Sequence, residues 1–328
     1  MINLQKLATE QRNAKTNKID SATTLELVQI MNDEDHKVAD AVHKILPQVA
    51  AAVDMIASHL RRGGRLFYVG SGTSGRLGIL DAAECPPTFS TSPELVQGIL
   101  AGGESAVFRA KEGAEDDAEQ GAKDLAARSA TNRDVVVGIS ASGRTPYVVG
   151  ALTYARQKIG AATIAICCSA DSAVSRQADF NLCALVGPEV ITGSTRMKAG
   201  TAEKMLLNML STGAMVKLGK VYGNLMVDLN CSNEKLQERA VQIVMAVAEC
   251  DRDKAVRSLT AAQGNAKEAC LIAALNLSPE AARQHLAVAG GFLGKALTLM
   301  SLLYCERSYA FMNNQELAQK ILEVVGPA

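Results

Sequence analysis

Between residues 23 and 61 apolar side chains recur three and four positions apart: "TTLELVQIMNDED" starts after polar Ser21, and "KVADAVHKILPQVAAAVDMIASHLRR" continues the stripe. That period lays the apolar residues along one helix face and predicts helices, with Pro47 as the break between them. From residue 65 on the pattern changes. Short apolar runs, "RLFYV", "DVVVGI" (Asp134 to Ile139), "ATIAIC" (Ala162 to Cys167) and "FNLCALV" (Phe180 to Val186), alternate with helical segments such as "PYVVGALTYARQKIG". Strands that are apolar at consecutive positions are buried on both faces, so the alternation predicts an α/β fold, a parallel sheet flanked by helices. A long amphipathic helix, "RMKAGTAEKMLLNMLSTGAMVKLGK", is expected from about Arg196, after which strand signals fade. Residues 233 to 297 read as all-helical, with Gly264, Asn265 and "NLSPE" as turn punctuation. The expected organisation is residues 1–225 as the α/β domain with its N-terminal helices, 226–297 as a C-terminal all-helical subdomain, and 298–328 as a helical tail without legible chemistry.

Composition narrows the function. A chain of 328 residues, 48% hydrophobic, can bury a substantial core without cross-links. Lys plus Arg (34) balances Asp plus Glu (34), so there is no basic field to recruit nucleic acid or an acidic membrane surface. A small ligand or a protein partner remains. With no Trp and 4% aromatic residues, a carbohydrate would have to be held by polar groups. The eight cysteines form no Cys-x-x-Cys pair and read as reduced core thiols of a cytoplasmic protein, in keeping with a charged N-terminal stretch and no clean apolar span. The four histidines are scattered, no metal site is legible, and no cofactor is expected.

Candidate chemistry gathers at the ends of the apolar runs. "RLFYVGSGTSGRLG" places Gly70, Gly72 and Gly75 in the Gly-x-Gly-x-x-Gly spacing of a strand-to-helix turn, whose exposed N–H groups suit an anion. A dinucleotide would also need an acidic residue about twenty positions on, at the tip of the next strand. Here Glu94 precedes the apolar run instead of following it, and "CPP" at Cys85 to Pro87 is expected to break the helix. "DVVVGISASGRTPYV" sets Ser140, Ser142, Gly143 and Thr145 at a second such junction; alone it reads first as an ordinary helix N-cap, but with the first loop in the same sheet it reads as a phosphate cradle.

"SGTS" paired with "SASGRT" resembles the sugar isomerase (SIS) domain, a fold that binds phosphosugars. "VGSGTSGRLGILDAAECPPTF", "GGESAVFRAKEGAEDD" and "GPEVITGSTRMKAGTAEK" resemble one branch of it, the N-acetylmuramic acid 6-phosphate etherases, with the glucokinase regulatory protein as a relative; the likeness runs from the N-terminus to about residue 297. The resemblance implies a cofactor-independent lyase that uses water to cleave the D-lactyl ether at carbon 3, giving N-acetylglucosamine 6-phosphate and D-lactate. It implies Glu84 and Glu115 as the acid–base pair, which is which left open. It also implies that Ser74, Ser142 and Thr145, with Thr73, Ser71 and Ser140 in the same loops, hold the 6-phosphate.

The residues themselves leave alternatives. Pro86 and Pro87 are expected to fix a rigid turn beyond Glu84. Glu112, Glu115 and Glu119 are expected on one helical face, where a solvated acidic run is the competing explanation. Ser194, Arg196 and Lys198 open the long helix; cations there oppose the helix dipole and ask for an anion, which is the phosphate, the lactyl carboxylate or a neighbouring acidic side chain. A homodimer is expected because sites of this fold lie near a subunit seam and the apolar N-terminal helices need cover. A non-catalytic phosphosugar-sensing regulator and an aldose–ketose phosphosugar isomerase are the competing functions.

Overall fold

A computed structural model describes residues 8–229, 231 and 233–299. It divides into two compact units. One holds the described residues up to Cys85 together with Ser92–Ala214, and the other holds Pro86–Thr91 together with the described residues from Met215 on. The first unit therefore ends inside the long helix and not in the loop near residue 225.

The first unit is built on a five-stranded parallel sheet of order β2-β1-β3-β4-β5. Four strands coincide with the apolar runs: β1 (Leu66–Gly70), β3 (Val135–Ile139), β4 (Ala162–Cys167) and β5 (Phe180–Cys183). The fifth, β2 (Val96–Leu100), was not separated by the sequence pattern, because at the sheet edge Gln97 and Gly98 stay half-buried and dilute the run. β1 and β3 are buried at every position, as consecutive apolar strands beneath covering helices must be.

α1 (Thr24–His43) opens with a capping box between Thr23 and Glu26. α2 (Leu46–Arg61) carries Pro47 in its first turn, where a missing N–H costs nothing, and buries Val49, Ala52, Val53, Ile56 and Leu60. α3 (Gly72–Phe89) corrects an expectation: the helix runs through Pro86 and Pro87. Both prolines lie in the last turn and have a helix-compatible φ, so few ladder bonds are lost before Ser90 turns left-handed (φ 48°) and donates its N–H to the Pro86 carbonyl at 3.0 Å. Glu84 therefore rides on a helix, not on a rigid turn. After the single turn of α4 (Ser105–Phe108), α5 (Ala118–Ala127) and α6 (Pro146–Tyr154) pack backbone to backbone, and α7 (Lys198–Lys217) crosses from the first unit into the second. A Cβ on Gly150 would stand 1.9 Å from the Ala118 carbonyl oxygen, so the α5–α6 approach requires glycine.

The second unit is helical, with α8 (Glu234–Ala248), α9 (Arg252–Ala261), α10 (Ala266–Leu275) and α11 (Pro279–Val288) packed around Val241, Val244, Leu259, Cys270 and Leu271. Asn265 and Ser278, in the stretches read as punctuation, are N-caps of α10 and α11. The tail expected from residue 298 lies, from 300 on, outside the described residues. All described cysteines are free, and no described helix is long and apolar enough to cross a membrane.

Candidate functional site

In the order β2-β1-β3-β4-β5 the chain leaves β1 for the strand on one side and β3 for the strand on the other. The carboxyl ends of β1 and β3 therefore form the topological switch point, the crevice where open α/β sheets take ligands. Both glycine- and serine-rich loops lie there. β1 pairs with β3 in register from Leu66↔Val135 to Gly70↔Ile139, so Ser71 and Ser140 follow neighbouring strand ends.

The first loop is tight because Gly70 and Gly75 face each other: a Cβ on Gly70 would stand 2.6 Å from the Gly75 nitrogen, and one on Gly75 would stand 2.4 Å from Leu100 Cδ1. The glycine spacing thus serves close strand–helix packing and leaves Ser71, Thr73 and Ser74 at the N-terminus of α3, where N–H groups and the helix dipole favour an anion. In the second loop the Ser140 and Thr145 hydroxyls lie 2.8 Å apart, and the Ser142 hydroxyl accepts the Arg144 N–H at 3.4 Å. Thr145 precedes Pro146 at the start of α6 but makes no capping bond with its side chain. The N-cap explanation therefore does not account for its hydroxyl, which pairs instead with that of Ser140.

Glu115 is brought to the first loop: the Ser71 hydroxyl donates to its carboxylate at 3.4 Å. The two residues line a cleft of about 220 Å³ with Gly72, Arg76, Lys111 and Glu112. Arg76 donates to the carbonyls of Val107 and Ala106, both at 2.8 Å, and so fastens the α4 segment over the start of α3. The shared helical face expected for Glu112, Glu115 and Glu119 does not form. Gly113 is left-handed (φ 75°), Glu115 sits in a short 3-10 turn, and Asp117 starts α5 by accepting the Gln120 N–H. These breaks take Glu115 off a shared helical face and set it, still exposed, against Ser71.

Glu84 is exposed on α3, twelve positions beyond Gly72. At a rise of about 1.5 Å per residue that is about 18 Å along the helix from the cleft. Within one chain the structure does not bring Glu84 and Glu115 together.

The "GSTRMKAG" segment does reach the site: a Cβ on Gly200 would stand 3.5 Å from Thr73 Cγ2. The loop before it is held by the N-terminal segment, Thr16 donating to the Val190 carbonyl at 2.8 Å and Asn13 to that of Pro188 at 3.4 Å. Of the anions left open for the cationic pair, Lys198 has the neighbouring side chain. Its ammonium is 1% exposed and donates to Glu34 at 2.8 Å, while its backbone N–H and that of Ala199 donate to the Glu189 carboxylate at 3.0 and 2.9 Å. Lys198 is thus a structural cation and not a ligand contact, because a buried ammonium already matched by a carboxylate has no charge to offer. Burial pushes the Glu34 carboxyl up, but the ammonium hydrogen bonds of Lys198 and Lys37 outweigh it and hold it at about 2. Ser194 is half-buried and Arg196 exposed beside it.

Two acids escaped the sequence reading. Glu189 lies nine residues before α7, in the loop that leads into it, and folds back to accept the first N–H groups of the helix, a longer reach than the adjacent N-cap positions a sequence pattern marks. Glu203 is buried, with Oε1 2.9 Å from the Ser74 hydroxyl, and its signal was available: it lies on the stripe of Ala199, Ala202 and Leu206, an acid on an otherwise apolar helix face.

Family models match the chain twice: the glucokinase regulatory protein N-terminal SIS domain over residues 48–156, and the SIS domain over residues 116–213. N-acetylmuramic acid 6-phosphate etherase of Clostridium beijerinckii is 54% identical over 296 residues, 90% of this chain and 97% of that protein. Its namesake from Symbiobacterium thermophilum is 60% identical over 81% of this chain and 88% of its own, and that of Escherichia coli O1:K1 is 53% identical over 90% and 98%. Among solved structures, a phosphoheptose isomerase from Francisella tularensis covers 60% of this chain and 100% of its own at 18% identity and a TM-score of 0.49.

Proposed function

The chain belongs to the N-acetylmuramic acid 6-phosphate etherases, and from that premise we propose that it cleaves the D-lactyl ether of N-acetylmuramic acid 6-phosphate with water, giving N-acetylglucosamine 6-phosphate and D-lactate, in cytoplasmic recycling of cell-wall amino sugars. The observation that carries this reading is the hydroxyl-lined loops at two helix N-termini on the switch point, with Glu115 facing Ser71 across the cleft.

Ser74, Ser142 and Thr145, with the N–H groups opening α3 and α6, hold the 6-phosphate; Ser71, Thr73 and Ser140 shape the same loops. Ser194 and Arg196 lie at the entrance of α7 to meet a substrate anion. Acid–base chemistry suffices for the reaction. One glutamate takes the proton from carbon 2; the carbon 3–oxygen bond breaks, and the other glutamate protonates the departing lactyl oxygen. Water then adds at carbon 3 of the unsaturated aldehyde while carbon 2 regains a proton. Each proton transfer by a positioned group contributes roughly 10²- to 10⁴-fold.

Both glutamates can act on one sugar only if Glu84 comes from elsewhere, since about 18 Å of helix separates it from the cleft of its own chain. The enzyme is therefore a homodimer in which Glu84 of a second copy completes each site, and this also covers apolar side chains such as Leu80, 52% exposed on the same helix. D-lactate release from the 6-phosphate, measured with a D-lactate-specific dehydrogenase, tests the function. No lactate would leave a phosphosugar-sensing regulator, and ketose formation without lactate an isomerase. Equal turnover of unphosphorylated N-acetylmuramic acid would overturn the phosphate cradle.

A further inference from the structure

Glu203 lies on the buried face of α7 with 1% of its surface exposed, behind the loop that opens α3. Among the described residues the only hydrogen-bond partner of its carboxyl is the Ser74 hydroxyl, itself 8% exposed, at 2.9 Å. The groups near enough to bear on its charge are the Cys167 and Cys168 thiols at the end of β4 and the Glu189 carboxylate in the loop after β5. All of these are neutral or negative. An ionised Glu203 would be a buried anion with one hydroxyl donor and a second carboxylate nearby, an arrangement in which the single Ser74 hydrogen bond offsets only part of the desolvation.

The proton position on this pair decides what Ser74 can do. If Glu203 is ionised, the Ser74 O–H points back at it and only lone pairs face the crevice, which repel an oxyanion. If Glu203 is protonated, it donates to Ser74 Oγ, and the Ser74 O–H is free to donate outward. We propose that Glu203 is a positioning residue for anion binding: held as the neutral acid, it donates to Ser74 and so directs the Ser74 hydroxyl proton at the phosphate of the ligand. The proposal rests on the preceding reading in taking Ser74 to face that phosphate. Burial raises the Glu203 carboxyl to about 8, the Ser74 hydrogen bond opposing the rise and the negative neighbours adding to it, so it is protonated at neutral pH and ionises in the mildly alkaline range.

The test is KM for N-acetylmuramic acid 6-phosphate, by D-lactate release, between about pH 6 and pH 9.5. In the wild type KM should climb above about pH 8, where Glu203 loses its proton. The climb should approach ten-fold per pH unit, the limit for one proton, with kcat not following it. A glutamine amide can donate to Ser74 and does not titrate, so in Glu203→Gln the alkaline climb should disappear. A flat wild-type KM, or a climb that survives in Glu203→Gln, would overturn the proposal; residual titration of Cys167 would show as the latter. A second arm needs neither turnover nor a folded variant. Infrared difference spectra of the wild-type chain on adding inorganic phosphate should perturb the carbonyl band of a protonated carboxylic acid. Changes confined to ionised carboxylate bands would overturn it. A chain that gave this infrared band but no lactate would refute the etherase reading and leave the Glu203 assignment standing.

Discussion

Glu84→Gln and Glu115→Gln should each cripple the enzyme alone and rescue each other when mixed. Each variant keeps the side-chain shape and removes one proton-transfer group, so each should lose at least about a hundred-fold in lactate release. The rescue follows from the length of α3. Glu84 stands twelve positions beyond Gly72, about 18 Å along the helix, while Glu115 touches Ser71 just before the helix begins. A general acid or base must come within about 3 Å of the proton it moves, so one chain cannot supply both groups to one sugar. In a dimer whose sites each draw Glu84 from one copy and Glu115 from the other, a hybrid of the two variants has one site with both glutamates and one with neither. Random mixing makes half the dimers hybrid, so turnover should recover to about a quarter of wild type. The assay is D-lactate release after the two variants, carrying different affinity tags, are unfolded together, refolded and purified on both tags in turn; doubly tagged dimers should reach about half. Inactive hybrids, or a monomer in sedimentation where a dimer of 34.6 kDa chains is expected, would refute the shared site.

Lys198→Met should destabilise the fold by up to about 3 to 5 kcal/mol at neutral pH, because it leaves the buried Glu34 carboxylate with only the half-exposed Lys37 ammonium as a cationic partner. Glu34 is depressed to about 2 in the fold, so the pair stabilises above about pH 4.5 and the wild-type margin in urea unfolding should shrink as pH falls from there towards 2; a margin under about 1 kcal/mol at neutral pH would show the pair to be screened. Ser142→Ala should raise KM more than it lowers kcat, by the roughly 1.5 to 3 kcal/mol of a hydrogen bond to a charged group; an unchanged KM would remove Ser142 from the phosphate site. Gly75→Ala drives a Cβ to 2.4 Å from Leu100 Cδ1 and 2.7 Å from the Gly70 oxygen, and overpacking of that kind should cost about 1 to 3 kcal/mol in unfolding experiments, where a neutral result would contradict the packing role of the glycines.

Much of the fold was legible because it is written in consecutive apolar strands: β1, β3, β4 and β5 announce themselves, whereas edge strand β2 mixes Gln97 and Gly98 into its run. The prolines of α3 misled because local chemistry argues for a break, and the sequence does not reveal that they fall in a helix's final turn. The serine-rich loops were legible from their spacing after strands. The partner of Lys198 was not, since Glu34 lies far away in the chain and only tertiary packing brings it in. Glu189 is near in sequence, nine residues before Lys198, but caps α7 by folding its loop back, which the usual N-cap spacing does not mark. Glu203 could have been seen, as an acid on the apolar stripe of α7.

The most direct measurement is turnover of N-acetylmuramic acid 6-phosphate in heavy water, followed by nuclear magnetic resonance of the products. Elimination followed by hydration requires D-lactate together with N-acetylglucosamine 6-phosphate bearing solvent deuterium at carbon 2, and in Glu84→Gln or Glu115→Gln both lactate and deuterium should be lost or fall sharply. Lactate released with the carbon 2 hydrogen untouched would mean direct displacement by water and would contradict the proposed roles of the two glutamates; no lactate at all would contradict the function itself.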